Sequence, residues 1–232
     1  VTWWKDHDLY LDCENADKTE ISDVYTGRMR SSVILLGAIL SRSKKCRIGY
    51  PGGCSIGKRP IDLHLMALRI LGADIRETDD YLEAECREFH GREIFFPKSS
   101  VGATQQAVLA AVTADGVSHL HNCAREPEVF WLCRYLRSMG AVIEGEETGE
   151  IMIRGVSELG PGDYGIPPDR IVAGTYICAA AAARSEITLR NVPTEELGSF
   201  LEVYQKMGGQ YEANGGTLEV NGKMAVRPVQ LV

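Results

Sequence analysis

A chain of 232 residues, 44% hydrophobic and 25% charged, is long enough to bury a sizeable core and has the composition of a soluble globular protein. Its formal net charge of −7 argues against a general nucleic-acid binder. No apolar run approaches the roughly 18 residues of a membrane helix; the longest candidate, residues 177–183, stops at Arg184.

In chain order, residues 8–13 alternate like a strand, and a helix is expected over 29–41, followed by a strand over 46–50. Residues 51–60 read PGGCSIGKRP. This stretch puts one thiol on a glycine-rich loop, adds two cations and leads into a helix that ends at Gly72. Strands are expected over 81–86 and 93–96, a helix over 101–114, a strand over 118–122 and a second helix ending at Gly140. Further strands at 150–153 and 164–166 precede a helix over 171–184, a strand over 186–191 and a helix ending at Gly208. Residues 229–232 are again strand-like, and both ends read as those of a fragment.

Gly72, Gly140 and Gly208 lie 68 residues apart twice over. Glycine just past a helix is the usual left-handed cap. Positions 4, 7, 8 and 11 before each glycine form one apolar stripe used three times. The members are Leu68, Leu65, His64 and Ile61, then Leu136, Cys133, Leu132 and Val129, then Tyr204, Leu201, Phe200 and Leu197. With a strand ahead of the first helix, the unit is βαβαββ, and its recurrence marks a pseudo-symmetric α/β architecture.

Seven cysteines, at 13, 46, 54, 86, 123, 133 and 178, include no CxxC pair, so neither a zinc site nor another cofactor is expected. Most lie on apolar stretches, where a thiol acts as a small hydrophobe. Their odd number fits a reducing, cytoplasmic compartment. Cys54 stands apart, because a buried structural cysteine has no need of Gly52, Gly53 and Gly57 around it. Its chemistry reads two ways. At its ordinary pKa the protonated thiol is an acid, whereas Lys58 and Arg59 bias it toward a nucleophilic thiolate.

Two helix starts could hold anions on their unpaired N–H groups. One is Arg59, Pro60, Ile61, Asp62 and Leu63; the other is Lys98, Ser99, Ser100, Val101 and Gly102. The plain alternative for the serines is N-capping. Capping is also the default role of Glu126 and Asp169, and surface charge that of Arg28 and Arg30. His64 reads at least as well as a core-facing histidine with a satisfied ring as it does as a catalytic one.

The stretch from Pro51 to His64 closely resembles the catalytic loop of the UDP-N-acetylglucosamine 1-carboxyvinyltransferases, a branch of the enolpyruvyl transferases. Residues 29–32, 100–104, 124–128 and 168–171 agree in order and spacing. The family fold is an inside-out α/β barrel: two domains of three βαβαββ units, about 400 residues in all, with the active site between the domains. The resemblance implies that residues 1–167 are most of the catalytic-loop domain, two units plus a leading strand pair. Residues 168–232 would then be the first unit of the second domain.

It also implies a reaction: enolpyruvate passes from phosphoenolpyruvate to the 3′-hydroxyl of UDP-N-acetylglucosamine in the first committed step of peptidoglycan synthesis. Cys54 would be the acid that protonates the enol methylene and the residue alkylated by fosfomycin. Arg30 and Arg59 would hold anionic groups. Arg59, Pro60, Ile61, Asp62 and Leu63, with Lys98, Ser99, Ser100, Val101 and Gly102, would hold the uridine nucleotide. The family's Lys-Asn pair and Asp base fall outside this sequence, so the chain alone is expected to be inactive. Two other readings are a non-catalytic nucleotide-binding paralogue and a shikimate-pathway-type transferase.

Overall fold

The computed structural model describes residues 2–52, 60–223 and 227–230. It divides into two compact units, Val1–Asp163 and Tyr164–Val232.

The first unit opens with an antiparallel hairpin of β1 (Thr2–Lys5) and β2 (Asp8–Leu11), solvent-exposed along its whole length. Then come β3 (Glu20–Ile21), the single turn α1 (Asp23–Thr26), a 3-10 turn (Arg30–Ile34), α2 (Leu35–Ser43) and β4 (Lys45–Gly49). α3 (Asp62–Leu71), β5 (Asp74–Glu77) and β6 (Tyr81–Glu85) complete one repeat. The next runs through β7 (Glu93–Phe95), α4 (Val101–Ala111), β8 (Val117–His121), α5 (Pro127–Ser138), β9 (Val142–Glu144) and β10 (Ile151–Arg154). The second unit holds α6 (Arg170–Ala183), β11 (Glu186–Arg190), a 3-10 turn (Thr194–Leu197), α7 (Gly198–Lys206), β12 (Gln210–Asn214) and β13 (Thr217–Asn221).

The sheets repeat one topology: β3-β4-β6-β5, β7-β8-β10-β9 and β11-β13-β12. The first pair of each four-stranded sheet is parallel and the others are antiparallel. A parallel pair needs a crossover, which α2 and α4 supply. Strand alternation turns one row inward: Cys46 and Ile48 of β4, Leu82 and Ala84 of β6, Leu120 of β8, Ile151 and Ile153 of β10.

The helical stripe is buried as its spacing requires. Leu65, Leu68, Val129, Cys133, Leu136, Leu201 and Tyr204 are all core residues, while Leu132 and Phe200 are partly covered. Each fully buried leucine contributes about 2 kcal/mol of transfer free energy. Gly72, Gly140 and Gly208 all have positive φ, between 95° and 118°. The residue after each glycine donates back to the helix: Ala73 to Leu68 O, Ala141 to Leu136 O and Gly209 to Tyr204 O, at 2.9–3.0 Å. One Schellman-type cap thus ends all three helices.

α4 is the hub of the first unit, with α2, α3 and α5 packed on it. Its alanines let neighbouring backbones approach closely, and its two deeply buried polar side chains are satisfied. Thr104 Oγ1 accepts from Ala124 N (3.0 Å). With its amide nitrogen turned to the carbonyls, Gln106 donates to Val33 O and Ile34 O and accepts from Gly37 N.

That Gln106 contact falls where the structure departs from one continuous helix over 29–41. The first turn is 3-10 and α-helix starts only at Leu35, so carbonyls of the tighter turn turn sideways to Gln106. Residues 164–166 are not a strand. Ile166 is 86% exposed, and Pro167 and Pro168 follow, with no N–H to give a ladder. The strand pair after each glycine is instead β5 with β6, β9 with β10 and β12 with β13. β7, expected to pair with β6, opens the next repeat beside β8. β5 and β9, absent from the expected strands, are edge strands with one buried residue each, Ile75 and Ile143.

Candidate functional site

The seven residues 53–59, which include Cys54, Lys58 and Arg59, lie outside the described residues. The stems on either side are placed. Gly52 N donates to Thr26 O (2.9 Å), and a Cβ built on Gly52 would lie 2.2 Å from Gly27 O. Only glycine lets these backbones approach so closely. On the far stem, the Arg30 guanidinium donates to Pro60 O (2.9 Å). Residues 26–30 therefore hold both stems, a role that no sequence pattern around Thr26 or Gly27 announced.

Past Pro60, Ile61 and Leu63 are buried, while Asp62 is exposed in the first turn of α3, where an acid suits the helix dipole. Lys98 and Ser99 stand exposed ahead of α4. Ser100 is the N-cap, its Oγ accepting from Ala103 N (3.4 Å). Asp169 caps α6 in the same way, its Oδ1 accepting from Ile171 N (2.7 Å) and Val172 N (3.0 Å). Glu126 does not: it occupies the N-cap of α5 without a side-chain cap bond, and Pro127 follows at the first helical position.

The two helix starts meet through His64. Its ring lies against Gly102, with Cε1 and Nε2 only 2.7 and 3.0 Å from a Cβ built there. His64 is 7% exposed, and its Nδ1 is buried without a hydrogen-bond partner among the described residues. A satisfied core histidine is therefore the wrong description. Burial first, then the Arg30 charge, lowers its pKa to about 4, against the opposing effect of Asp62. The imidazole is neutral at physiological pH. Arg30, Pro60, His64 and Gly102 thus form one cluster, and Lys98 and Ser99 precede in sequence the helix that carries Gly102.

Four of the other cysteines, Cys46, Cys86, Cys123 and Cys133, are buried, as small hydrophobes are. Burial pushes Cys46, Cys123 and Cys133 up to about 12. Thiols so protonated are inert. Among the described residues no cluster of three His, Cys, Asp or Glu side chains could hold a metal ion, and no helix is long and apolar enough to cross a membrane.

Repeated βαβαββ units with their second helices glycine-capped define the enolpyruvyl transferase fold. The enolpyruvyl transferase NikO from Streptomyces tendae superposes with a TM-score of 0.80 at 21% identity, covering 95% of this chain and 54% of that one. EPSP synthase from Acinetobacter baumannii gives 0.63 at 20% identity, covering 88% and 49%. The chain belongs to the EPSP synthase (3-phosphoshikimate 1-carboxyvinyltransferase) family, whose sequence model matches residues 5–231.

Within it, UDP-N-acetylglucosamine 1-carboxyvinyltransferase 2 of Caldanaerobacter subterraneus subsp. tengcongensis is 40% identical over 225 residues, 97% of this chain and 54% of the relative. The UDP-N-acetylglucosamine 1-carboxyvinyltransferase of Orientia tsutsugamushi (strain Boryong) is 45% identical over 207 residues, 88% and 49% respectively. The chain spans about half the length of the curated relatives it matches.

Proposed function

We propose that this chain is part of a cytoplasmic enolpyruvyl transferase that moves enolpyruvate from phosphoenolpyruvate to the 3′-hydroxyl of UDP-N-acetylglucosamine, the first committed step of peptidoglycan synthesis. The observation that carries the reading is the convergence of Arg30 and the starts of α3 and α4 at the Pro60 stem of the thiol-bearing segment. The names of the relatives support it.

In this reading the Cys54 thiol delivers its proton to the methylene carbon of phosphoenolpyruvate. The sugar oxygen bonds to the neighbouring carbon and gives up its own proton to a base. The tetrahedral ketal then loses phosphate by C–O cleavage, and a proton leaves the new methyl group for the Cys54 thiolate, which restores the double bond and the thiol. The N–H groups at residues 100–102, with Lys98 and Arg59, receive the diphosphate. Arg30 adds positive charge at the same place. Pro60, Ile61, Asp62 and Leu63 border the uridine.

The base and the remaining phosphoenolpyruvate ligands belong to the rest of the two-domain enzyme, the partner this chain requires. Stabilising the developing charge takes all its members together, so the 232-residue chain alone releases no phosphate. Fosfomycin tests the whole reading: in the complete enzyme it should alkylate Cys54 in a manner dependent on UDP-N-acetylglucosamine. A protein that leaves the thiol unlabelled under those conditions is not this transferase.

A further inference from the structure

His64 sits at a position where the other repeats keep hydrocarbon: the same helical phase holds Leu132 in α5 and Phe200 in α7. An imidazole there, buried with an unpartnered Nδ1, is a cost that a purely structural position avoids. What distinguishes the first repeat is the neighbour across the ring. The edge carrying Cε1, Nε2 and Nδ1 faces Gly102, at 2.7, 3.0 and 3.9 Å from a Cβ built there. Gly102 lies in the first turn of α4, whose N–H groups point out of the helix end.

We propose that His64 is a positioning residue of the nucleotide site: its uncharged ring is the seat on which the turn at residues 100–102 rests, so that the backbone N–H groups there meet the diphosphate. The inference rests on the assignment of that turn to a nucleotide diphosphate. It differs from a charge role, in which a protonated imidazole would itself attract the anion. Among the described residues the ionisable groups acting on the ring are Arg30 and Asp62, and Arg30 opposes protonation. Arg30 therefore carries the positive charge at this point, and His64 supplies shape. Glycine at 102 and histidine at 64 are one fitted pair.

The test is calorimetric titration of the complete enzyme with UDP-N-acetylglucosamine, whose diphosphate diester does not titrate near neutrality. His64→Ala should weaken binding by about tenfold while circular dichroism stays that of the folded enzyme. His64→Gln, which keeps an uncharged polar group of similar reach, should recover most of the loss. Gly102→Ala should also weaken binding, and adding His64→Ala to it should restore affinity, because the new methyl group fills the space left by the ring. Wild-type affinity should stay level between about pH 8 and about pH 6.

Affinity that tightens toward the acid side would make His64 a cation for the phosphate and overturn the proposal. So would a His64→Ala enzyme that binds like wild type, or a double variant no better than Gly102→Ala. These three outcomes leave the nucleotide assignment standing. A complete wild-type enzyme that shows no binding at all overturns both.

Discussion

Two connections in the first unit join a strand to the second helix of a repeat, and they share a scaffold but little else. Between β8 and α5 the chain turns at once on Asn122, which has φ 57°, and its groups are used locally. Cys123 N donates to Gly149 O, Ala124 N to Thr104 Oγ1, and Asn122 Nδ2 to Phe96 O. Between β4 and α3 the chain is longer, and its stems are tied to residues 26–30. The first connection closes a fold. The second is held at both ends, and in the proposed function the chain between them carries the acid Cys54. One repeat can thus be elaborated for function while its neighbour remains architecture, because the helices and sheets on either side are the same.

The sharpest way to break this comparison is to exchange its thiols. In the complete enzyme Cys54→Ala should lower turnover about a hundredfold or more, the usual loss on removing a general acid. Cys123→Ala should leave turnover alone, since Cys123 is a buried hydrophobe. Cys54→Asp can still donate a proton, so it should keep turnover and escape fosfomycin. Equal rates for the two alanine variants would remove the distinction between the connections.

Acid sharpens it next, through His64 and its counterpart Leu132. With its pKa lowered to about 4, folded His64 resists protonation, whereas the unfolded chain takes up the proton from about pH 6.5 downward. The unfolded state binds more protons inside that window, so stability falls as pH falls through it, by up to about 3 kcal/mol. His64→Leu should flatten that part of the stability curve, as measured by urea melts at several pH values. An unchanged slope would mean that other groups cause it.

A smaller effect separates the stems. Gly52→Ala forces a methyl group into the Gly27 carbonyl and should cost about 1–3 kcal/mol. In the β8–α5 connection Ala124 is already fully buried with its Cβ accommodated. If Gly52→Ala melts with the wild type, the close approach of the two backbones does not hold the stem.

Much of this was legible along the chain, and what was not has a common cause. Local periodicity reveals a helix that buries one face, and α3, α5 and α7 were readable down to the residue after their caps. The number of inward residues alone does not decide which strands are legible: β6 and β10, with two, were expected and β5 and β9, with one, were not, yet β7, with one, was expected and β13, with two, was not. Residues 164–166 alternate like a strand, yet a ladder is a property of two segments, and no neighbour among the described residues pairs with them. The site divides in the same way. Serine ahead of α4 and proline ahead of α3 mark helix starts from sequence alone. That the two starts abut through His64 and Gly102, or that Gly27 backs Gly52, depends on contacts 25 or more positions apart, which no local window contains.

The smallest effect tests whether the β8–α5 connection is only architecture. Asn122 does two separable things: it adopts the left-handed backbone, and its amide donates to Phe96 O at 2.9 Å. Alanine loses both, at about 1–2 kcal/mol for the backbone and about 1 kcal/mol for the hydrogen bond. Glycine relieves the backbone term and loses only the bond. Asn122→Ala should therefore be less stable than Asn122→Gly by about 1 kcal/mol, read from urea midpoints at constant slope. In the complete enzyme neither variant should alter turnover. A turn that only closes a fold can be weakened without touching the chemistry next door. A change in turnover from Asn122→Gly would show that the two connections are not independent.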